Sequence, residues 1–547
     1  MTSIQNRSLY FVGIGGIGMS GIAEILHNKG LVVRGSDVSE NANVKRLACM
    51  GIPISIGHSS ENIRGAHAVV VSSAIPPDNP ELIAAKENNI PVITRGEMLA
   101  ELIRAEKAIA VSGTHGKTTT TSLIAAVLNA ADLDPTIING GIINTYQANA
   151  KLGNGDWFVV EADESDGSFL RLPSTINVIT NIDPEHMNYY QTEANLEQAF
   201  WQFIRNLPFY GLGVVCLDHP RVKRLFGKPA EGEPHSSLGH PERRIVTYGF
   251  DGSPHFKAEN VRFLENGTMF DVAVTQGIPF ASNPSLGAYK MQDLFLPMLG
   301  KHNVLNALAA VAVAKELEIS ADVIKSAFAS FQGVKRRFTI LGQTCGVTFV
   351  DDYAHHPMEI KAVIDAARQA HAARVVAVFQ PHRYSRFTQF FDAFADVLAK
   401  ADIVIALPVY AAGESPQSVQ SSSQSIQASH QNTQSSHKSS HSSSQNTHSS
   451  RQSIHSPPQN IQSSPWDSSF PSKPFAQDYM GSDYAQHGPP LHEAFVAQLR
   501  ARGVNAHFSS NEELSSLLQS LLVHGDFCIG LGAGNISELI AGIYASY

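Results

Sequence analysis

Tryptophan and cysteine are scarce in this 547-residue chain, with 3 and 4 copies. Cys49, Cys216, Cys345 and Cys528 form no Cys-x-x-Cys pair. That spacing excludes a disulfide framework and fits thiols kept reduced in a cytoplasm, each expected in a core rather than in catalysis. Long apolar runs are missing too. No stretch approaches the roughly 18 residues of a membrane span and no signal-like segment precedes the first strand, so the expectation is a cytoplasmic protein with no membrane partner. Positive charge is short: 40 Lys and Arg face 49 Asp and Glu, a net charge of −9. Such a chain lacks the basic field a nucleic acid needs, although a few local cations can still hold a small anion. Apolar residues are plentiful at 43%, enough for each of the roughly three domains suggested by length to bury its own core.

Short apolar strands alternate with helical stretches through the first hundred residues: Leu9–Val12, Val32-Val33 and Ala68–Val71. Strands apolar on both faces predict a parallel sheet covered by helices. A second α/β unit starts at Lys107–Val111, with strands at Trp157–Val160 and Ile176–Thr180 and helices over Thr120–Ala131, Asn195–Leu207 and His302–Glu318. Residues from Ile245 to Phe280 read as short antiparallel strands. A third unit follows Gly333, with strands at Val347–Asp351, Val375–Phe379, Ile403–Leu407 and Phe527–Gly530. The expected domains are 1–106, 107–332 and 333–547. Inside the last, residues 415–490 form a low-complexity stretch, Ser-, Gln- and His-rich to about Ser464, which cannot offset its ordering entropy and is expected to be a disordered surface insertion. Its histidines His430, His437, His441, His448 and His455 offer no fixed ligand geometry. A helical pattern resumes at Leu491–Arg502.

The strongest chemical signal is Ser112-Gly113-Thr114-His115-Gly116-Lys117-Thr118-Thr119. Val111 ends a strand, Gly113 and Gly116 let backbone approach a phosphate, Lys117 adds a cation, and the helix that follows favours an anion at its N-terminus. Thr118 can offer its hydroxyl to Mg²⁺. The spacing departs from the full P-loop pattern, because Val111 stands where the first glycine is usual. Glu161-Ala162-Asp163-Glu164-Ser165-Asp166 follows a strand, where ligands bind in doubly wound sheets. Glu161, nearest the strand end, suits Mg²⁺ beside a triphosphate. His186, in Asn181-Ile182-Asp183-Pro184-Glu185-His186, can bind a metal or a substrate oxygen. The earlier turn Gly13-Ile14-Gly15-Gly16-Ile17-Gly18, with Asp37 about 20 residues on, reads as a diphosphate-and-ribose site. That turn alone does not separate a nicotinamide dinucleotide from a nucleotide sugar. A chain carrying both sites suits an enzyme that joins a nucleotide-linked substrate to something else using ATP.

These motifs, with His302-Asn303-Val304-Leu305-Asn306-Ala307, Asp351-Asp352-Tyr353-Ala354-His355-His356-Pro357 and Gln380-Pro381-His382-Arg383-Tyr384, resemble the Mur ligases of peptidoglycan synthesis. The resemblance covers nearly the whole chain outside the insertion. It implies an α/β protein of three domains: a Rossmann-like UDP-binding domain, a central P-loop-type ATPase domain, and a C-terminal Rossmann-like domain. It also implies that Gly13, Gly15, Gly16 and Gly18 hold the UDP diphosphate, with Asp37, Ser72 and Ser73 nearby. Gly113 to Thr119 would hold ATP, with Lys117 on its phosphates. Thr118 and Glu161 would hold Mg²⁺, and His186 a second Mg²⁺. Asn303 and Asn306 would face the adenine, Arg337 the terminal phosphate, and Asp351 or Asp352 the ribose. Tyr353, His355, Arg383 and Arg386 would line the muramate and amino-acid pocket, where two guanidiniums suit a free carboxylate. Ala354 replaces a glycine usual in the family and Met358 a threonine; neither change removes a charged side chain.

The implied reaction joins L-alanine to the carboxylate of UDP-N-acetylmuramate through an acyl phosphate, by an enzyme that is a monomer or a homodimer. Three other readings stay open at this level. A sister ligase would attach a murein tripeptide to the same sugar nucleotide. An NAD(P)-dependent oxidoreductase would use only the first glycine-rich turn, and a catalytically silent regulator would bind ATP without turning it over.

Overall fold

The computed structural model describes residues 7–72, 74–227, 238–239, 241–264, 266–275, 278, 287–370, 372–414 and 491–547. Ser73 and the 415–490 insertion, with His430, His437, His441, His448 and His455, lie outside the described residues. Three sheets carry the fold, in keeping with the three-domain α/β expectation. By contacts the chain divides into two compact units, Met1–Thr339 and Ile340–Tyr547, with 369–371 grouped with the first.

The first sheet contains β1 (Ser8–Val12), β2 (Val32–Asp37), β3 (Ile54–Ile56), β4 (Ala68–Val71) and β5 (Val92–Thr94), ordered 3-2-1-4-5 and parallel throughout. Helices return the chain between parallel neighbours, which is why the central strands β1 and β4 are apolar on both faces. The helix Arg95–Ile103 begins with a capping box, Thr94 bonding the Glu97 amide and Glu97 bonding back, so its first turn is fixed by local sequence.

The second sheet contains β6 (Lys107–Ser112), β7 (Thr136–Ile143), β8 (Ala148–Lys151), β9 (Trp157–Glu161), β10 (Ile176–Ile179), β11 (Leu212–Cys216), β12 (Arg244–Gly249), β13 (Phe256–Leu264), β14 (Gly267–Val274) and β15 (Tyr289–Leu296), ordered 15-14-13-12-11-10-6-9-7-8. The expectation of antiparallel strands over Ile245 to Phe280 holds for β13 and β14, and β15, beyond that span, continues the antiparallel pairing. It fails for β12, which runs parallel to both β11 and β13. The helix Pro220–Phe226 lies between β11 and β12, as a parallel crossover requires.

A continuous apolar core links these two sheets. Ile22, Ile25 and Leu26, from the helix after β1, share it with Ile138 and Ala150 of the β7–β8 hairpin. Gly21 permits that approach, since a Cβ there would meet Ala150 at 3.2 Å. The boundary expected at residue 333 places Gly333 to Phe338 in the third domain. The structure groups them with the first unit, because Asn144 donates to the Gly333 carbonyl, Lys335 donates to that of Ile142, and Val334 bridges to Ile143.

The second unit is built on β16 (Thr339–Thr344), β17 (Val347–Asp352), β18 (Arg374–Phe379), β19 (Ile403–Ala406), β20 (Asn505–Phe508) and β21 (Asp526–Leu531), ordered 16-17-21-18-19-20. From β17 to β20 the neighbours are parallel. Cys216 and Cys528 are buried as expected, whereas Cys49 and Cys345 are exposed. Cys49 closes a helix that buries only Val44 and Leu47; Cys345 sits in the turn between β16 and β17 at φ +50°. Among the described residues no helix is long and apolar enough to cross a membrane.

Candidate active site

Register brings three of the sequence motifs together at one edge of the second sheet. Val111 of β6 is level with Glu161 of β9, and Ser112 with Ile179 of β10. The loop after β6, the acidic segment after β9 and Asn181–His186 after β10 therefore emerge side by side, where parallel sheets bind ligands. Val111 is a buried strand residue, so the turn begins at Gly113, with φ +131°. A Cβ at Gly113 would fall 2.1 Å from the Thr180 hydroxyl oxygen, so this position takes on the task of the missing first glycine. Gly116, at φ +84°, starts the helix Lys117–Ala130.

The loop is braced from β10. The His115 amide donates to Asn181 Oδ1 at 2.7 Å, while the His115 carbonyl accepts from Thr180 Oγ1 at 2.6 Å and Asn181 Nδ2 at 2.8 Å. Thr114 Oγ1 accepts from the Asp183 amide at 2.8 Å. Asp183 Oδ2 lies 3.4 Å from His115 Nε2, and Asp183 Oδ1 lies 3.1 Å from His219 Nε2. Burial opposes the Asp183 charge, yet the His115 and His219 rings facing its two oxygens hold its carboxyl well below the usual range.

Lys117 Nζ donates to the Gly113 carbonyl at 2.6 Å, the Thr114 carbonyl at 3.2 Å and Glu164 Oε1 at 2.9 Å. Burial works against its charge, but Glu164, Glu161 and Asp163 hold it above the ordinary lysine value. For Glu164 burial wins, pushing the carboxyl up to about 7 despite Lys117. Tyr190 donates its hydroxyl to the Glu164 carbonyl, fixing that segment.

Glu161 Oε2 accepts from the Gly140 amide at 2.8 Å. Thr118 lies against Gly141, where a Cβ would meet its Cγ2 at 2.8 Å, and Val334 approaches the same Gly141 position at 3.2 Å. The glycine pair on β7 thus sits among Glu161, Thr118 and the segment that leads to Arg337. Thr118 and Thr119 are buried in the first helical turn. Asn306 Oδ1 accepts from the Thr120 hydroxyl at 3.1 Å, Asn306 donates to Asn303 Oδ1 at 3.2 Å, and Asn303 donates to the Leu299 carbonyl at 2.7 Å. These buried amides are satisfied by the loop helix and their own helix. His186 has a left-handed backbone, φ +58°, and opens the short helix Met187–Tyr190.

In the first sheet the Gly13 and Ile14 amides donate to the Ser36 carbonyl, and the Gly15 amide to Asp37 Oδ2 at 2.9 Å. Asp37 therefore holds the glycine-rich turn itself. Gly16 starts the helix Ile17–Asn28. Over Gly18 lies the Arg95 side chain, whose Nη2 also pairs with Asp163 at 2.9 Å. That ion pair ties the first glycine-rich turn to the acidic segment after β9. Ser72 follows β4 and its hydroxyl accepts from the Ala74 amide.

In the second unit, Asp351 and Asp352 end β17 and are buried. Ser537 donates to Asp351, and the Ala354 amide donates to Asp352 Oδ1 at 2.7 Å. Ala354 does not have a positive φ, so the replaced glycine is not conformationally required. His355 Nδ1 bonds the Tyr353 carbonyl at 2.9 Å, and the two rings meet edge-on at 5.2 Å. His382 lies 5.9 Å from His355 and stacks on Tyr410 at 5.7 Å. Burial, then His355, Arg386 and Arg383, lowers the His382 pKa to about 4. Arg383 has φ +68° and donates its amide to the Tyr410 carbonyl at 2.9 Å; Arg386 lies one turn on in the helix Tyr384–Gln389.

Residues 8–107 match the Mur ligase family, catalytic domain; 111–314 the Mur ligase middle domain; 336–450 the Mur ligase, glutamate ligase domain. The UDP-N-acetylmuramate–L-alanine ligase of Paramagnetospirillum magneticum is 53% identical over 414 residues, 76% of this chain and 83% of that protein. The chain belongs to the Mur ligase family. Its relative of the same name from Granulibacter bethesdensis is 54% identical over 409 residues, covering 75% of this chain and 82% of that one. Among solved structures, the UDP-N-acetylmuramate–alanine ligase of Thermotoga maritima superposes with a TM-score of 0.70 at 25% identity, covering 99% of both chains. A murein peptide ligase from Psychrobacter arcticus shares the fold, with a TM-score of 0.62 at 18% identity over 99% of this chain and 98% of that one.

Within this Mur ligase, sequence reasoning singled out the loop Gly113–Thr119, Glu161 and the first glycine-rich turn as candidates, and passed over several of the partners the structure gives them. Arg95 and His219 carry no local motif, and Asn181 was in view only as part of the segment leading to His186. Asp183 was in view only as a neighbour of His186, and Gly140-Gly141 lies in a hairpin that the strand pattern did not reveal.

Proposed function

We propose that this Mur ligase is an ATP-dependent enzyme that joins L-alanine to the lactyl carboxylate of UDP-N-acetylmuramate, giving UDP-N-acetylmuramoyl-L-alanine, ADP and phosphate. The observation that carries the reading is the convergence of Lys117, Thr118 and Glu161 around a glycine-lined phosphate loop, in a chain 53% identical to ligases of that name.

Among the described residues no group of three His, Cys, Asp or Glu side chains could hold a metal by itself. That suits Mg²⁺, which takes one or two protein oxygens and completes its shell with phosphate oxygens and water. Thr118 and Glu161 supply hard oxygen donors, and the absence of side chains at Gly140 and Gly141 leaves room beside them. His186 serves a second ion. Bound there, Mg²⁺ neutralises charge on the transferring phosphoryl group.

The rest is done by this chain's own groups and the substrates. The lactyl carboxylate attacks the γ-phosphorus of ATP, the bond to the β-bridging oxygen breaks, and ADP leaves with that electron pair. Lys117 and Arg337 offset the negative charge on the phosphoryl oxygens, the chief task in such a transfer. The free amine of L-alanine then attacks the acyl carbon and expels phosphate, after its ammonium has lost a proton. No protein nucleophile is needed. Gly13 to Gly18 hold the UDP diphosphate, with Asp37 fixing the turn and Ser72 and Ser73 alongside. Asn303 and Asn306 flank the adenine, and Asp351 or Asp352 takes the ribose. Tyr353, His355, Arg383 and Arg386 form the acceptor pocket, where the guanidiniums grip the alanine carboxylate.

The test is isotopic. With ¹⁸O in the lactyl carboxylate, one label should appear in the released phosphate for each amide formed. Unlabelled phosphate would rule out the acyl phosphate.

A further inference from the structure

Behind the nucleotide loop lies a buried chain of three titratable side chains, His219, Asp183 and His115, and the outer histidine has no part in the reaction as described. His219 stands just past β11, the strand next to β10, and is almost fully buried at 5% exposure. The Ile182 amide donates to its Nδ1 at 3.4 Å. A nitrogen that accepts leaves the ring proton on Nε2, so His219 donates to Asp183 Oδ1 at 3.1 Å. The other oxygen of Asp183 faces His115 Nε2 at 3.4 Å, and the Asp183 amide donates to the Thr114 hydroxyl oxygen at 2.8 Å. Asp183 thus supports two successive residues of the phosphate loop, His115 through its carboxylate and Thr114 through its main-chain amide, and the direction of the carboxylate is set by a buried donor just past the neighbouring strand.

We propose that His219 is a positioning residue for ATP: through Asp183 it fixes His115 and Thr114, and so holds the phosphate loop in its binding shape. A supporting shell of this kind is what keeps a binding loop within a few tenths of an ångström of its working geometry. The proposal rests on the reading of this loop as the ATP site.

The experiment measures equilibrium binding of ATP and, separately, of UDP-N-acetylmuramate to the full chain and to His219→Ala, His219→Gln, Asp183→Asn and the double variant His219→Ala/Asp183→Asn. Losing a hydrogen bond to a charged group should weaken ATP binding about tenfold in His219→Ala, with sugar-nucleotide binding unchanged. His219→Gln keeps a donor at the Nε2 position and should bind ATP within about threefold of the parent, well short of a full hydrogen-bond loss. Asp183→Asn should lose as much as His219→Ala, and the double variant no more than either, because residues in one network do not add. Parent-like ATP binding in His219→Ala, equal losses for both ligands, or full additivity would overturn the proposal. If His219→Ala does not fold, His219→Gln and Asp183→Asn carry the test: similar ATP losses in the two would overturn it. A parent protein that bound no ATP would remove the underlying reading as well.

Discussion

Lys117 Nζ and Glu164 Oε1 lie 2.9 Å apart, with Glu164 almost fully buried, so the cation of the phosphate loop is held by a carboxyl that burial drives toward neutrality. Glu164 is displaced upward to about 7 from its ordinary 4.5. A carboxyl raised in the folded state binds more protons folded than unfolded across that interval, so its ionisation lowers stability as pH climbs from about 4.5 to about 7. Glu164→Gln has no such proton to lose. The melting-temperature difference, variant minus parent, should therefore grow more positive between pH 4.5 and 7 and level off above. A difference that does not change with pH would contradict the assignment.

Lys117→Ala removes the loop's cation and strands Glu164 without its partner. Single electrostatic donors at such sites are worth about 2.7–4 kcal/mol in the transition state, so kcat should fall about 10²- to 10³-fold. ADP release at saturating substrates measures it. Near-normal turnover would take Lys117 out of the phosphoryl transfer.

Gly140→Ala tests the Mg²⁺ position without touching a ligand. The new Cβ would fall 2.5 Å from Glu161 Oε1 and 2.6 Å from Oε2, so the carboxylate must move. The Mg²⁺ concentration for half-maximal activity should rise about tenfold, on the scale seen when partners of metal ligands are disturbed, while activity at saturating Mg²⁺ recovers. Unchanged Mg²⁺ dependence would show that Glu161 does not hold the ion.

Arg383→Lys keeps the charge and loses the planar fork. If Arg383 grips the carboxylate of the incoming amino acid, KM for L-alanine should rise about tenfold with KM for ATP unchanged. Equal rises for both substrates would contradict a specific role for Arg383 in holding the amino acid.

The parts of this fold that were legible in the sequence are those where local chemistry decides the structure. Strands buried on both faces, such as Ala108–Val111 and Val375–Phe379, read as parallel sheet because every residue is apolar. Gly113 and Gly116 read as a phosphate loop because few other residues suit such turns. What stayed hidden depends on partners distant in sequence. The direction of β12 is set by a crossover, and β7–β8 alternates too weakly to announce a hairpin. Lys117 meets Glu164, Arg95 meets Asp163, and Asp183 lies between His115 and His219, each through strand order and register rather than spacing. The cysteines teach the same lesson from the other side. Cys49 and Cys345 looked like core residues by type, yet local geometry leaves both exposed.

The most direct test of the account supplies ATP, Mg²⁺ and UDP-N-acetylmuramate with one amine donor at a time: L-alanine, L-serine, glycine, or the tripeptide L-Ala-γ-D-Glu-meso-diaminopimelate. ADP release should be fastest with L-alanine and accompanied by UDP-N-acetylmuramoyl-L-alanine in equal amount. Preference for the tripeptide, or ADP release that ignores the donor, would contradict it.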